Sequence, residues 1–244
     1  MIPVAEALAQ VLALARLMPV EQVSLAKAHG RWLAAPVAAR LTQPPFAASA
    51  MDGYAIIGPA SVGASFTIIG ESAAGHAFQG DIAPGETVRI STGAALPASA
   101  THAVLQEEVS RDGALVTLTA PTGKSNIRPR GDDFAMGDIV APRRLRPQDL
   151  ALLAAMNLDH LPVRRRPEVA ILTTGDELVM PGEPPRNDQI VASNGFAIKA
   201  LVEETGGIAR LLPISKDSEQ ALRASLDLVK DCDIIVTIGG ASVG

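Results

Sequence analysis

The apolar residues Val4, Ala7, Leu8, Val11, Leu12 and Ala15 recur at helical spacing, which predicts an amphipathic helix at the start of the chain. Ser24 to Ala35 reads as a second helix, loosened at Gly30 and closed near Pro36. The texture then changes. Phe66–Ile69, Thr87–Ile90, Ala103–Gln106 and Leu115–Leu118 are short β-rich runs, and Arg111-Asp112-Gly113 supplies a hairpin turn between two of them. Ala135-Met136-Gly137-Asp138 reads as another turn of that kind.

Helical spacing returns at Pro147, a favoured first helical position, and runs to about Asn157. Strand and helix then alternate. Val169–Leu172 has the composition of a buried strand, and Ser193 is placed to cap a helix that Gly206-Gly207 ends. Ile208–Ile214 follows as a strand, and Asp217 with Gln220 resembles a capping box opening a helix with Leu222, Leu226 and Val229 on its buried face. Asp233–Ile238 is the next strand. Two crossover units in this order predict a parallel sheet with helices on its faces. The expected architecture is therefore multidomain, α/β plus β: a helical linking domain (16–43 and 141–166), an inserted β domain (44–140), and an α/β domain (1–15 and 167–244) truncated at its C-terminus.

Composition narrows the function classes. Hydrophobic residues make up 48% and charged residues 19%, which is globular. A net charge of −5 opposes a nucleic-acid backbone, so no nucleic-acid partner is expected, and any anionic ligand must be held locally. The single cysteine, Cys232, excludes an internal disulfide and fits a reducing, cytoplasmic setting. No basic n-region marks a targeting segment, and no apolar run approaches the roughly 20 residues needed to span a membrane. The histidines His29, His76, His102 and His160 lack metal-ligand spacing.

The candidate chemistry lies where strands end. In an open α/β sheet ligands bind beyond the carboxyl ends of strands, and two such ends carry polar glycine loops, Thr173–Leu178 and Gly239–Gly244. Glycine backbones there can approach an anion closely, and Ser242 adds a hydroxyl. Asp176 and Glu177 beside that edge suit a hard cation, such as magnesium, that bridges carboxylate and phosphate oxygens. Earlier in the chain, Asp52 is a carboxylate in a turn among small residues, and Ser91-Thr92-Gly93 directly follows a strand.

At these residues the chain resembles a known family. Ser49-Ala-Met-Asp-Gly-Tyr-Ala55, Ser91-Thr-Gly-Ala-Ala-Leu-Pro97, Arg128-Pro-Arg-Gly-Asp-Asp133, Thr174-Gly-Asp-Glu-Leu178, Ser193-Asn194 and Gly239-Gly-Ala-Ser-Val-Gly244 follow the order seen in molybdopterin molybdenumtransferases, the MoeA-type enzymes related to the E domain of gephyrin. The resemblance covers essentially the whole chain and makes the α/β domain a molybdopterin-binding one. It implies insertion of molybdate into adenylylated molybdopterin with release of AMP, with magnesium or a similar divalent cation. It further implies a homodimer, with the site between the α/β domain of one subunit and the β domain of the other, and a molybdopterin adenylyltransferase as a partner. Implied catalytic residues are Asp52, Asp133 (or the adjacent Asp132), Glu177 and Asp217. Implied substrate-binding residues are Thr92, Gly93, Thr174, Gly175, Ser193, Asn194, Gly239, Gly240, Ser242 and Gly244, with Asp176 and Glu177 on the metal.

The Ser-Lys-Asp-Ser-Glu stretch around Asp217 departs from the family's usual paired aspartates, and helix capping is an equally good account of Asp217. Further molybdate- and metal-binding groups are expected in sequence that follows Gly244 in the family. Two other readings compete. A molybdopterin adenylyltransferase or a pyridine-nucleotide amidase would share the α/β loops but lack the Ser49–Ala55 string. A non-catalytic molybdopterin-binding or scaffold module would share the fold.

Overall fold

The computed structural model describes residues 2–239. The chain divides into two compact units, one of Met1–Pro36, Ala141–Leu150 and His160–Gly244, the other of Val37–Val140 and Ala151–Asp159. Among the described residues no helix is long and apolar enough to cross a membrane.

The first unit holds a three-stranded parallel sheet. Glu168–Thr173 lies in the centre, with Ile208–Leu211 on one side and Ile234–Ile238 on the other. The centre strand is apolar because both of its faces are covered. Ala170 and Leu172 pack with Leu212 and Val229, while helix α3, Asn194–Glu204, lies against the centre strand and Ile208–Leu211. Gly195 makes the α3 approach possible, since a Cβ there would come within 2.9 Å of Leu211 Cδ1 and 3.3 Å of Thr173 Oγ1. The pairing of the second strand ends before Pro213, which has no N–H to donate, so the strand is shorter than the predicted Ile208–Ile214.

The same unit corrects the reading of the early chain. The opening helix forms as Val4–Ala13 (α1), with no buried residue. Ser24–Ala35 is not a helix. Val20–Ser24 pairs antiparallel with His160–Arg164, and only a short 3₁₀ turn, Leu25–Lys27, follows. Long-range partners take the N–H groups that a helix would use: Gly30 N donates to Leu145 O (2.9 Å), Leu33 N to Arg143 O (2.9 Å) and Ala34 N to Pro162 O (2.8 Å). Gly30, at φ +73°, turns the chain between them.

Helix capping also differs from expectation. Ser193 occupies the N-cap position of α3, but its φ of −111° and ψ of −36° are helical rather than extended and its side chain makes no capping bond. Helix α4, Glu219–Asp227, is capped by Ser218, whose extended backbone lets its side chain accept from Ala221 N at 3.2 Å. Asp217 is therefore one residue too early to cap. Helix α2, Pro147–Ala155, begins at Pro147 as its sequence predicts, and the buried Asp149 reaches back to accept from Arg146 N at 2.9 Å.

The second unit is built on a six-stranded sheet in the order His102–Leu105, Gly53–Ile56, Glu86–Ile90, Ser65–Ser72, Leu115–Leu118, Val109–Asp112. All its pairings are antiparallel except that between Ser65–Ser72 and Glu86–Ile90. Adjacent residues feed two separate clusters. Ala55 packs with Ile90, Ala94 and Ala103, and Ile56 with Val104 and Leu118. This alternation is the period of a strand covered on both faces. The segment read as a turn around Asp52 is a bend between two strands, Ala48–Ser49 and Gly53–Ile56.

Candidate functional site

In the β unit, strand pairing delivers Asp52 to Thr92. Gly53 lies opposite Ile90 on one side and Leu105 on the other, so Asp52 projects from the end of the strand toward the residues after Ile90. One oxygen, Asp52 Oδ1, accepts from both Thr92 N (2.6 Å) and Thr92 Oγ1 (3.0 Å). The backbone N–H, then the hydroxyl of Thr92, hold this exposed carboxyl below the usual aspartate range, with a smaller contribution from Arg89. Asp52 stays ionised at any physiological pH, and its second oxygen remains open to solvent or ligand. Gly93, at φ +80°, donates from its N–H to Ser49 O (2.8 Å), which ties this loop to the Ser49–Ala55 string.

Arg128 is the residue to which sequence reasoning gave no role. Its Nη2 donates to Asp133 Oδ1 (2.5 Å) and its Nε to Asp132 Oδ2 (3.1 Å). Both aspartates left open by the sequence are thus held by one guanidinium, which they in turn keep firmly charged. The five-residue spacing between Arg128 and Asp133 was the signal that could have exposed the pairing. Arg128, Thr92, Gly93, Ser49 and Gln43 line one cavity of about 270 Å³. Asp52 and Asp133, each bonded to a residue of its wall, accordingly flank a single hollow.

In the α/β unit, Thr174 continues the centre strand and donates to Ile238 O (3.0 Å), while Gly175 donates to Ser215 O (3.1 Å). Gly239 lies so close that a Cβ there would come 2.8 Å from Thr174 O and 2.9 Å from its Oγ1. The two glycine loops therefore begin side by side at one sheet edge. Gly240, Ser242 and Gly244 lie outside the described residues. Gly175, at φ +152°, lies under the Glu177 carboxylate, whose mobile end would have to swing aside for a Cβ that otherwise sits 2.5 Å from Glu177 Oε2. Asp176 lines a cavity of about 600 Å³ with Gly175, Ser215 and Lys216. Asp217, next to that wall, is exposed. Ser193 and Asn194 are exposed at the start of α3.

Asp52, Thr92, Gly93 and Asp133 belong to the β unit, and Thr174 to Glu177, Ser193, Asn194, Asp217 and Gly239 to the α/β unit. Among the described residues no three His, Cys, Asp or Glu side chains converge as a metal-ligand set. Asp176 and Glu177 still have the donor chemistry of a magnesium site, because that ion is held by one or two carboxylates with its other oxygens coming from phosphate and water.

Residues 2–157 match the model of the MoeA N-terminal region (domain I and II), and residues 170–244 match a model described as "Probable molybdopterin binding domain". The chain belongs to the MoeA family. A molybdopterin molybdenumtransferase of Nostoc sp. is 36% identical over 234 residues, covering 92% of this chain and 54% of that relative. Its counterpart in Haemophilus influenzae is 33% identical over 230 residues, covering 92% of this chain and 57% of the relative. A crystal structure of a moeA molybdopterin biosynthesis protein from Pyrococcus horikoshii superposes with a TM-score of 0.86 at 31% identity, covering 98% of this chain and 66% of that one. The chain thus spans little more than half the length of the curated MoeA relatives it matches.

Proposed function

We propose that this chain carries the substrate-handling part of a molybdenum insertase, in which molybdate enters adenylylated molybdopterin and AMP is released. The observation that supports this most directly is the co-occurrence in one chain of the Asp52–Thr92 hollow of a MoeA N-terminal region and the Thr174–Gly239 sheet edge of a molybdopterin-binding domain. Asp176 and Glu177 would hold a divalent cation, whose charge would offset that of the phosphates. Asp52, Asp133, Glu177 and Asp217 would orient a water at the adenylyl phosphorus. As its oxygen bonds there the anhydride P–O bond breaks, the bonding pair stays on the molybdopterin phosphate oxygen, the water's proton passes to a carboxylate, and the adenylyl group departs as AMP. In this reading the protein is a cytoplasmic homodimer that uses the β unit of one subunit with the α/β unit of the other, and a molybdopterin adenylyltransferase supplies its substrate.

The test uses a full-length form of the protein with adenylylated molybdopterin and molybdate. Glu177→Ala and Asp52→Asn should each lower AMP release by about 10²-fold or more, the scale of losing one preorganised electrostatic contact. Mixing the two inactive proteins under conditions of subunit exchange should restore part of the activity. Normal turnover in the Glu177 variant would refute the assignment, and absence of recovery on mixing would refute the shared site.

A further inference from the structure

The cavity of about 600 Å³ at the sheet edge contains two cations that no motif above accounts for, Arg186 and Lys216. They arrive by independent routes. Lys216 follows Ser215, whose main chain is fixed on both sides: Ser215 N donates to Thr173 O (2.9 Å) and Ser215 O accepts from Gly175 N (3.1 Å). Ser218 N then donates to Lys216 O at 2.8 Å, so the Lys216 backbone is pinned to the rigid end of the parallel sheet. Among the described residues no carboxylate pairs with its ammonium.

Arg186 comes from the loop between the paired strands Leu178–Val179 and Ile190–Val191. That loop is internally tied. Met180 N donates to Glu183 Oε2 (3.1 Å), Arg186 N to Gln189 Oε1 (3.2 Å), and Gln189 N to Arg186 O (3.1 Å). Arg186 Nε donates to Asp188 Oδ1 at 3.2 Å, so the Nε edge is taken while the two terminal nitrogens are left as a fork. The loop's acids are occupied within it, Glu183 by a backbone N–H and Asp188 by Nε. Asp176 is left as the cavity carboxylate without a hydrogen bond among the described residues.

We infer that Arg186 and Lys216 form a seat for a tetrahedral dianionic oxyanion, with Asp176 across the cavity as the point where a divalent cation joins it. The inference rests on the insertase reading for the identity of its ligand, which is either a phosphate group of the substrate or molybdate. Charge requires the cation. The lining carries Arg186 and Lys216 against Asp176 and Glu183, which cancel formally, so a bare anion gains little until a divalent ion neutralises Asp176. A cavity of this volume exceeds one oxyanion several-fold and leaves room for the organic part of a substrate.

The test is calorimetric titration of this 244-residue chain at low ionic strength, with pyrophosphate and, separately, molybdate, each with and without magnesium. Binding of at least one anion should strengthen with magnesium, and Arg186→Gln and Lys216→Gln should each weaken it about tenfold, as expected for loss of a charge-assisted contact. Lys230→Gln, a paired surface lysine of the same unit, should leave it unchanged. Preference for pyrophosphate assigns the seat to a substrate phosphate, and preference for molybdate assigns it to the metal oxyanion. No binding by the wild type, or unchanged binding by the Arg186→Gln, Lys216→Gln double variant, overturns the seat. Turnover separates this from failure of the broader reading. A full-length double variant with unaltered KM removes only the seat, whereas a wild type that releases no AMP removes the insertase assignment.

Discussion

Replacing Gly53 with alanine should be among the most damaging single-methyl changes in the β unit, for a reason that has nothing to do with backbone dihedrals. A Cβ at Gly53 would lie 1.8 Å from Val104 O and 2.8 Å from Val104 C, whereas ordinary contact begins near 3.4 Å. The obstacle is backbone, so it cannot rotate away. Strand His102–Leu105 would have to retreat by about 1.5 Å, enough to take a normal hydrogen bond beyond 4 Å. The pairs Gly53↔Leu105 and Tyr54↔Val104 are the nearest to open. Two lost ladder bonds at about 1 kcal/mol each, with overpacking of about 1–3 kcal/mol, give a destabilisation of roughly 3–5 kcal/mol. At about 2–4 °C per kcal/mol for a chain of this size, the melting temperature should fall by about 10 °C. Gly93→Ala is the matched control. Its φ of +80° strains alanine, but nothing lies within 4 Å of the new methyl, so its cost should stay near 1–2 kcal/mol. Thermal melts followed by circular dichroism decide between them. A Gly53→Ala protein that melts within about 3 °C of wild type, or above Gly93→Ala, would refute the close-approach argument.

Asp52→Asn should leave the melting temperature of this chain unchanged while lowering turnover of the full-length protein, because the carboxylate is exposed and its Thr92 N–H partner can still be satisfied by the amide oxygen; a large fall in stability with normal turnover would make Asp52 structural. Asp149→Ala should cost about 2 kcal/mol, read by chemical denaturation, since the buried carboxylate accepts from Arg146 N and Nε and pairs with Arg143. The Arg146 backbone N–H foremost lowers the Asp149 pKa, so its contribution is complete above the unfolded value near ~3.9 and disappears as pH falls through the folded value. The difference between wild type and variant should therefore be flat from about pH 5 to 8 and close only in acid; a difference that changed near neutrality would contradict this. Gly195→Ala should cost only about 1–2 kcal/mol, because its closest obstacle is the mobile end of Leu211 at 2.9 Å, and a loss as large as that of Gly53→Ala would show that α3 cannot adjust.

The parallel sheet was legible because its strands are short apolar runs separated by helical spacing, and a buried centre strand such as Val169–Leu172 has few other uses. What was not legible depended on partners distant in sequence. Ser24–Ala35 has local helical propensity, yet its N–H groups meet carbonyls more than 100 residues away, and no local pattern reports that competition. Arg128 stood in a family string without a role of its own, because its function shows only when the two carboxylates it holds are seen together. The capping of α4 turned on one residue of backbone geometry, and the outcome matters for the site: with Ser218 as the cap, the structural explanation of Asp217 disappears and its exposed carboxylate has no local task. The family strings mix two kinds of residue that sequence alone cannot separate. Gly53 and Gly239 are required because a Cβ would strike the main chain of Val104 or Thr174. Asp176 and Lys216 have no such structural employment at the sheet edge, although both face the same cavity. Both are solvated in the free protein, so leaving them without protein partners costs little, while a fixed backbone that presents them to one cavity offers a ligand contacts that are already ordered, which is the physical reason to look for the ligand there.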